Sequence, residues 1–215
     1  MTVAEADKQR RLDAAQTAID RMIMLAQDGV SVVSAVMGDT AEPGEWTHYP
    51  PRDARDTATG YRFFYHCHRD MPAAWGEHGH FHLFVRAGAA DADKREPLTH
   101  LVALSVDARG LPLRVFTTNR WVTDEIWRPA PDVLDALDGF RVAPTTSELL
   151  AVADWLAAMT VLFRPQIERV IKARDQRLTD LASRGPRPNL LDDRRLHVLT
   201  SEPVSLEDSV AALDI

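Results

Sequence analysis

Tyr61 to Val85 reads YRFFYHCHRDMPAAWGEHGHFHLFV, and five of the eight histidines in the chain fall inside it, between His66 and His82. Tyr61 to Arg69 is rich in aromatic residues and reads as a β-strand, while Glu77 to Val85 alternates polar and apolar residues and reads as a second. Asp70, Pro72 and Gly76 lie between them and suit a hairpin loop.

Successive side chains on a strand point to opposite faces, so His66 and His68 share a face with Arg62 and Phe64, while Tyr65 and Cys67 point the other way. His78, His80 and His82 share one face of the second strand. A hairpin folded about Ala73 sets His66 opposite His80 and His68 opposite His78, with paired Cβ atoms roughly 4.5–5.5 Å apart. A slip of one residue would split the cluster between the two faces.

Crowded neutral imidazoles favour a divalent cation, because the ion supplies the charge that holds their lone pairs together. His66, His68, His78, His80 and His82 are therefore the expected ligands, three or four of them in use at once. Glu77 is expected to act as a catalytic proton carrier, an orienting carboxylate or a ligand. Arg62 and Arg86 on the same face, with Trp121 beyond the sheet, are candidates for substrate binding. Imidazole ligands suit iron, zinc and copper alike; Fe or Zn is the leading expectation, with Cu open. The same letters also fit a solvated histidine-rich sheet face.

The surrounding chain reads as an α+β fold, an antiparallel β-meander of four or more strands over about 61–117 with N-terminal and C-terminal helices. Leu98 to Asp107 and Leu111 to Thr117 form a second hairpin, and pairing of the third strand with its predecessor brings His100 beside His82 or Phe84. Strict alternation puts Phe63, Tyr65, Phe81, Leu83, Leu101 and Ala103 on the opposite face, where helices can pack. Residues 4–28 read as an amphipathic helix ending at Asp28-Gly29; Val30 to Met37 fits a continued helix or an edge strand. Residues 38–60, rich in Pro, Gly, Asp and Thr, read as a lid-like loop carrying Trp46 and His48.

Beyond the sheet, Thr118 and Asn119 turn the chain into a short helix, with Asp124 or Glu125 as a further carboxylate candidate. The C-terminal half, 120–184, reads as helical, with Thr146 or Ser147 as a cap and Pro165 as a kink or a new helix start. In the tail, 185–215, a short strand at Leu196 to Leu199 precedes a capped turn at Ser205. All of this fits a single domain over 1–215.

Composition narrows the function classes. Net charge is −7 and no basic block reaches motif strength, which argues against nucleic acid. Apolar runs are shorter than the ~20 residues of a membrane span. The single cysteine, Cys67, fits a reducing cytoplasmic setting and a buried thiol. The expected function is a metal-dependent enzyme of oxygenase-type or hydrolytic chemistry on a small anionic substrate, with homo-oligomers left open. The alternative is a non-catalytic metal or haem binder, such as a sensor, chaperone or store.

Overall fold

Strands β2 (Tyr61–His66) and β3 (Gly79–Arg86) form the expected hairpin, paired so that His66 faces His80 and Phe64 faces His82. The computed structural model describes residues 2–38, 44, 47–67, 76–88, 96–144, 146–185 and 189–213, so His68 and Trp46 lie outside the described residues. The remaining strands are β1 (Tyr49–Arg55), β4 (Leu98–Val106), β5 (Pro112–Thr118) and β6 (Val198–Pro203). Together they make one six-stranded antiparallel sheet in strict chain order. With the helices that accompany this sheet, the fold is α+β.

The segment read as a lid-like loop contains β1, an edge strand whose register with β2 shifts between Tyr49 and Ala54. The tail also joins the sheet, and its strand begins two residues later than its sequence pattern indicates. Among the described residues, seven α-helices accompany the sheet. Thr2 caps α1 (Val3–Gln27), and Ser31 caps α2 (Val32–Met37), which settles the Val30 to Met37 segment as a separate helix. Asn119 caps the single turn α3 (Arg120–Thr123), and α4 (Ala130–Asp138) opens at Pro129. Thr146 caps α5 (Ser147–Leu162); α6 (Arg164–Ser183) then starts anew with Pro165 in its first turn, where a missing N–H costs nothing. Ser205 caps α7 (Leu206–Ala211).

The two faces of the sheet have different chemistry. Phe63, Tyr65, Phe81 and Leu83 join Leu101, Val102 and Leu104 in an apolar core completed by Trp155, Leu156, Met159 and Phe163 of the α5 region. Phe81 and Trp155 rings lie 5.7 Å apart, and buried Cys67 belongs to the same core. α1 packs on the outer side of α5, tied by an Arg21–Asp154 ion pair of 2.9 Å. β3 is buried along nearly its whole length, so its histidine face is also withdrawn from water.

One irregularity decides which residues reach that face. Leu83 pairs with Val102 but Phe84 pairs with His100, leaving Leu101 as the extra residue of a bulge. His100 therefore stands with Phe84, and Ala103 stands opposite His82 on the histidine face, not on the helix face where strict alternation put it.

At the start of β3 the chain passes close to Tyr65. A Cβ on Gly79 would lie 2.4 Å from the Tyr65 hydroxyl oxygen and 2.5 Å from the His66 carbonyl oxygen. Gly79→Ala is expected to lower stability by about 1–3 kcal/mol, because a strand backbone cannot retreat as a flexible side chain can. Chemical denaturation checks this, and an unchanged midpoint would contradict it.

Candidate metal centre

His66 at the end of β2 and His80 and His82 on β3 are buried, and one ring nitrogen from each lies within 4.8 Å of the other two. Their ring centroids are 4.4 Å (His66–His80), 5.1 Å (His66–His82) and 5.0 Å (His80–His82) apart. The ring planes meet at 87°, 66° and 77°, so the three imidazoles form the walls of a cup rather than a stack. Two imidazoles bound to one tetrahedral ion at 2.0–2.1 Å have centroids roughly 5 Å apart, so this triad can hold a metal ion.

The partners of each ring decide which nitrogen faces the centre. His80 Nδ1 lies 2.7 Å from Glu77 Oε1, and Glu77 Oε2 accepts from Arg114 Nη2 at 2.9 Å and Nε at 3.1 Å. A carboxylate at Nδ1 makes His80 the Nδ1–H tautomer and turns the Nε2 lone pair inward. That Nε2 lies 2.6 Å from His66 Nε2. Burial alone would raise the Glu77 carboxyl, but its hydrogen bond to His80 and the charge of Arg114 help to outweigh this and hold it below its ordinary value. Glu77 thus bridges the far nitrogen of His80 and the Arg114 guanidinium. Arg114 was missed, although the row His80, Ser105, Arg114 across three strands would have exposed it.

His82 Nδ1 lies 3.0 Å from His100 Nε2, which leaves Nε2 as the nitrogen for an ion. Burial, reinforced by the neighbouring imidazoles, holds His82 well below its ordinary value, and burial next to the Arg174 charge takes His100 down to about 3. Both rings are therefore neutral at pH 7, the form a metal needs. His100 donates its backbone N–H to Glu125 Oε2 at 2.9 Å, at the residue where the bulge leaves the ladder. Burial pushes the Glu125 carboxyl up to about 8, against the opposing effects of that N–H and of Arg174.

His78 is not part of the cup. It precedes the first residue of β3, and its Nδ1 lies 2.6 Å from the hydroxyl of Tyr65, a core residue on the helix side of the sheet. Gly79 lets the chain pass that close to Tyr65, so the alternation expected of His78 does not extend to it. Trp121 also faces elsewhere: its indole N–H is shared between the Asp193 and Leu196 carbonyls at 3.0 Å each, anchoring the tail. His197 packs edge-on against that ring.

A cavity of about 350 Å³ adjoins the cup, lined by His66, His82, Phe64, Phe84, Leu98 and Val122 and by a charged rim. Arg62 holds the rim together, 3.7 Å from Asp53 and in direct contact with Glu96. Arg86 reaches the same Glu96 carboxylate at 3.7 Å. Asp53 also meets His48 Nδ1 at 3.0 Å, and the His48 ring lies flat on Phe64, 3.6 Å between centroids.

A family model described as a domain of unknown function, DUF6969, matches residues 12–204. No curated protein and no solved structure matches the chain. Among the described residues, no helix is long and apolar enough to cross a membrane.

Glu125 gives a test of the burial behind the cup. Its folded-state value of about 8 lies above the ordinary 4.5, so the folded protein keeps a proton that the unfolded chain releases. Stability must then fall as pH rises from about 4.5 towards 8. Glu125→Gln, neutral throughout, should lose that decline. Urea midpoints at pH 5 and pH 9 should diverge between the two proteins by on the order of a few kcal/mol; parallel profiles would contradict the assignment.

Proposed function

We propose a metal-dependent function for this chain, which belongs to the DUF6969 family: one divalent first-row transition ion, zinc or iron before copper, held by His66, His80 and His82. The observation that carries this reading is the set of three buried imidazoles whose ring nitrogens lie within 4.8 Å of one another, with a carboxylate on the far side of one ring. Three imidazoles with an open position form one class of catalytic site, in which the ion acts as a Lewis acid or activates water.

The cavity beside the ion supports a metalloenzyme over a structural site. It is walled by Phe64, Phe84, Leu98 and Val122 and is large enough for a small molecule, whose reacting group would lie against the cup. An anion entering it competes with Asp53 and Glu96 for Arg62, which favours a small polar molecule anchored on the ion over one anchored on the arginine. In this reading Phe64 and Phe84 exclude water, Glu77 positions His80, and His100 positions His82.

A non-catalytic store, the alternative, would use more histidines than one ion needs. That surplus has other partners: His78 meets Tyr65, His100 meets His82 and His48 meets Asp53. One cluster of metal-ligating type remains among the described residues, which favours one ion per chain.

Elemental analysis of protein purified without chelator or nickel resin is expected to find about one metal per chain. His80→Ala should abolish that content and leave the far-UV signal nearly unchanged, since the sheet is held by its apolar face. Glu77→Gln keeps the shape but removes the charge behind His80, and should weaken binding by roughly ten- to hundred-fold. Metal-free protein at every stage, or His80→Ala with full metal content, would refute the assignment.

A further inference from the structure

Two imidazoles, one in the triad and one lining the cavity, have the same support. His80 has Nδ1 against Glu77, and His48 has Nδ1 against Asp53 at 3.0 Å. A carboxylate in that position fixes the ring's tautomer, orients it and raises the basicity of the remaining nitrogen, the outer arrangement common to metal-bound histidines. For His80 the arrangement serves the triad. For His48 no part of the fold described so far requires it.

The setting of His48 is equally specific. Its ring lies on Phe64 at 8° and meets the His66 ring edge-on at 88°, with 6.3 Å between centroids. Within the triad the corresponding spacings reach 5.1 Å, so a shift of about one ångström brings His48 to that spacing from His66. The side chain is 40% exposed, and it lines the same cavity as His66 and His82. Unlike the triad, it stands outside the regular strands, immediately before β1, where a small displacement breaks no ladder.

Asp53 adds an independent sign of construction. It is a non-glycine residue at φ +48°, inside the stretch where the β1–β2 register breaks. Such a conformation carries a cost and persists where surrounding structure holds it, often at functional sites. Here it aims one carboxylate at both His48 and Arg62.

We propose that His48 is a fourth, exchangeable ligand of the ion, held ready by Asp53 and displaced when a small ligand enters the cavity. The proposal rests on the triad holding an ion. With His48 bound, the centre is closed by four imidazoles; with His48 displaced, the vacated position faces the cavity and takes the incoming donor atom. The exchange couples occupancy of the cavity to the chemistry open to the ion, and it distinguishes this centre from a permanently open three-histidine site.

The test loads full-length wild type, His48→Ala and Asp53→Asn with cobalt(II), whose visible absorption reports coordination number and geometry. Asparagine tolerates the left-handed backbone of Asp53 and removes the charge at similar size. Wild type should show the strong bands of a four-coordinate ion. His48→Ala should bind cobalt at least tenfold more weakly and show the weaker bands of a higher coordination number; added free imidazole should restore the wild-type spectrum. Asp53→Asn should move affinity in the same direction, by roughly ten- to hundred-fold. Azide should bind the His48→Ala centre more tightly than wild type, because no protein ligand competes for the position. His48→Gln, checked for fold by far-UV circular dichroism, guards against loss of structure in the alanine variant and should give the same readings. Wild-type affinity and an unchanged spectrum in His48→Ala, with cobalt lost in His80→Ala, would overturn the proposal. Failure of wild type to bind cobalt would instead overturn the triad on which it rests.

Discussion

Two buried imidazole nitrogens 2.6 Å apart cannot both present bare lone pairs to each other. Lone pairs brought that close repel unless a proton or a cation is shared, and burial removes the water that would otherwise screen them. The other features of the centre follow from this constraint. Glu77 occupies the far nitrogen of His80, so that ring cannot turn its N–H inward; Arg114 offsets the charge of the carboxylate. His82 is neutralised by burial and tethered by His100, whose backbone is in turn held by Glu125.

The sheet makes the constraint bearable by separating its tasks. Stability comes from one face, where Phe63, Tyr65, Phe81 and Leu83 lock against Trp155 and its neighbours. Because that face holds the strands in place, the other can carry several imidazoles at close quarters without loosening the fold. The bulge at Leu101 is what allows both: it turns His100 towards His82 while Leu101 and Val102 remain in the apolar core. At the cavity rim Asp53 and Glu96 both contact Arg62, so these three charges partly offset one another before any molecule enters.

Much of this was legible in the letters. The polar and apolar alternation from Tyr61 to Val85 gave the hairpin, its register and the facing of His66 and His80, since period two leaves few alternatives once a turn is placed. Thr146, Pro165 and Ser205 marked helix starts through local hydrogen bonding and backbone preference. What failed did so where those local rules stop. His78 sits one residue before β3, beyond the reach of alternation, and went to Tyr65. Ala103 changed faces because of a bulge that no residue pattern announced. Trp121 was drawn to carbonyls of a tail some 70 positions away in sequence.

The sequence by itself determined the α+β class, the histidine hairpin and the identity of an imidazole-rich face, because each depends on near neighbours and on the two-residue period of a strand. Tertiary structure alone decided which imidazoles converge, which carboxylates stand behind them and where the cavity opens. Those outcomes depend on contacts such as Glu77 with Arg114, His100 with Glu125 and His48 with Asp53. Apart from the last, these join segments far apart along the chain, and all depend on angles and ångström-scale distances that a linear order of residues does not encode.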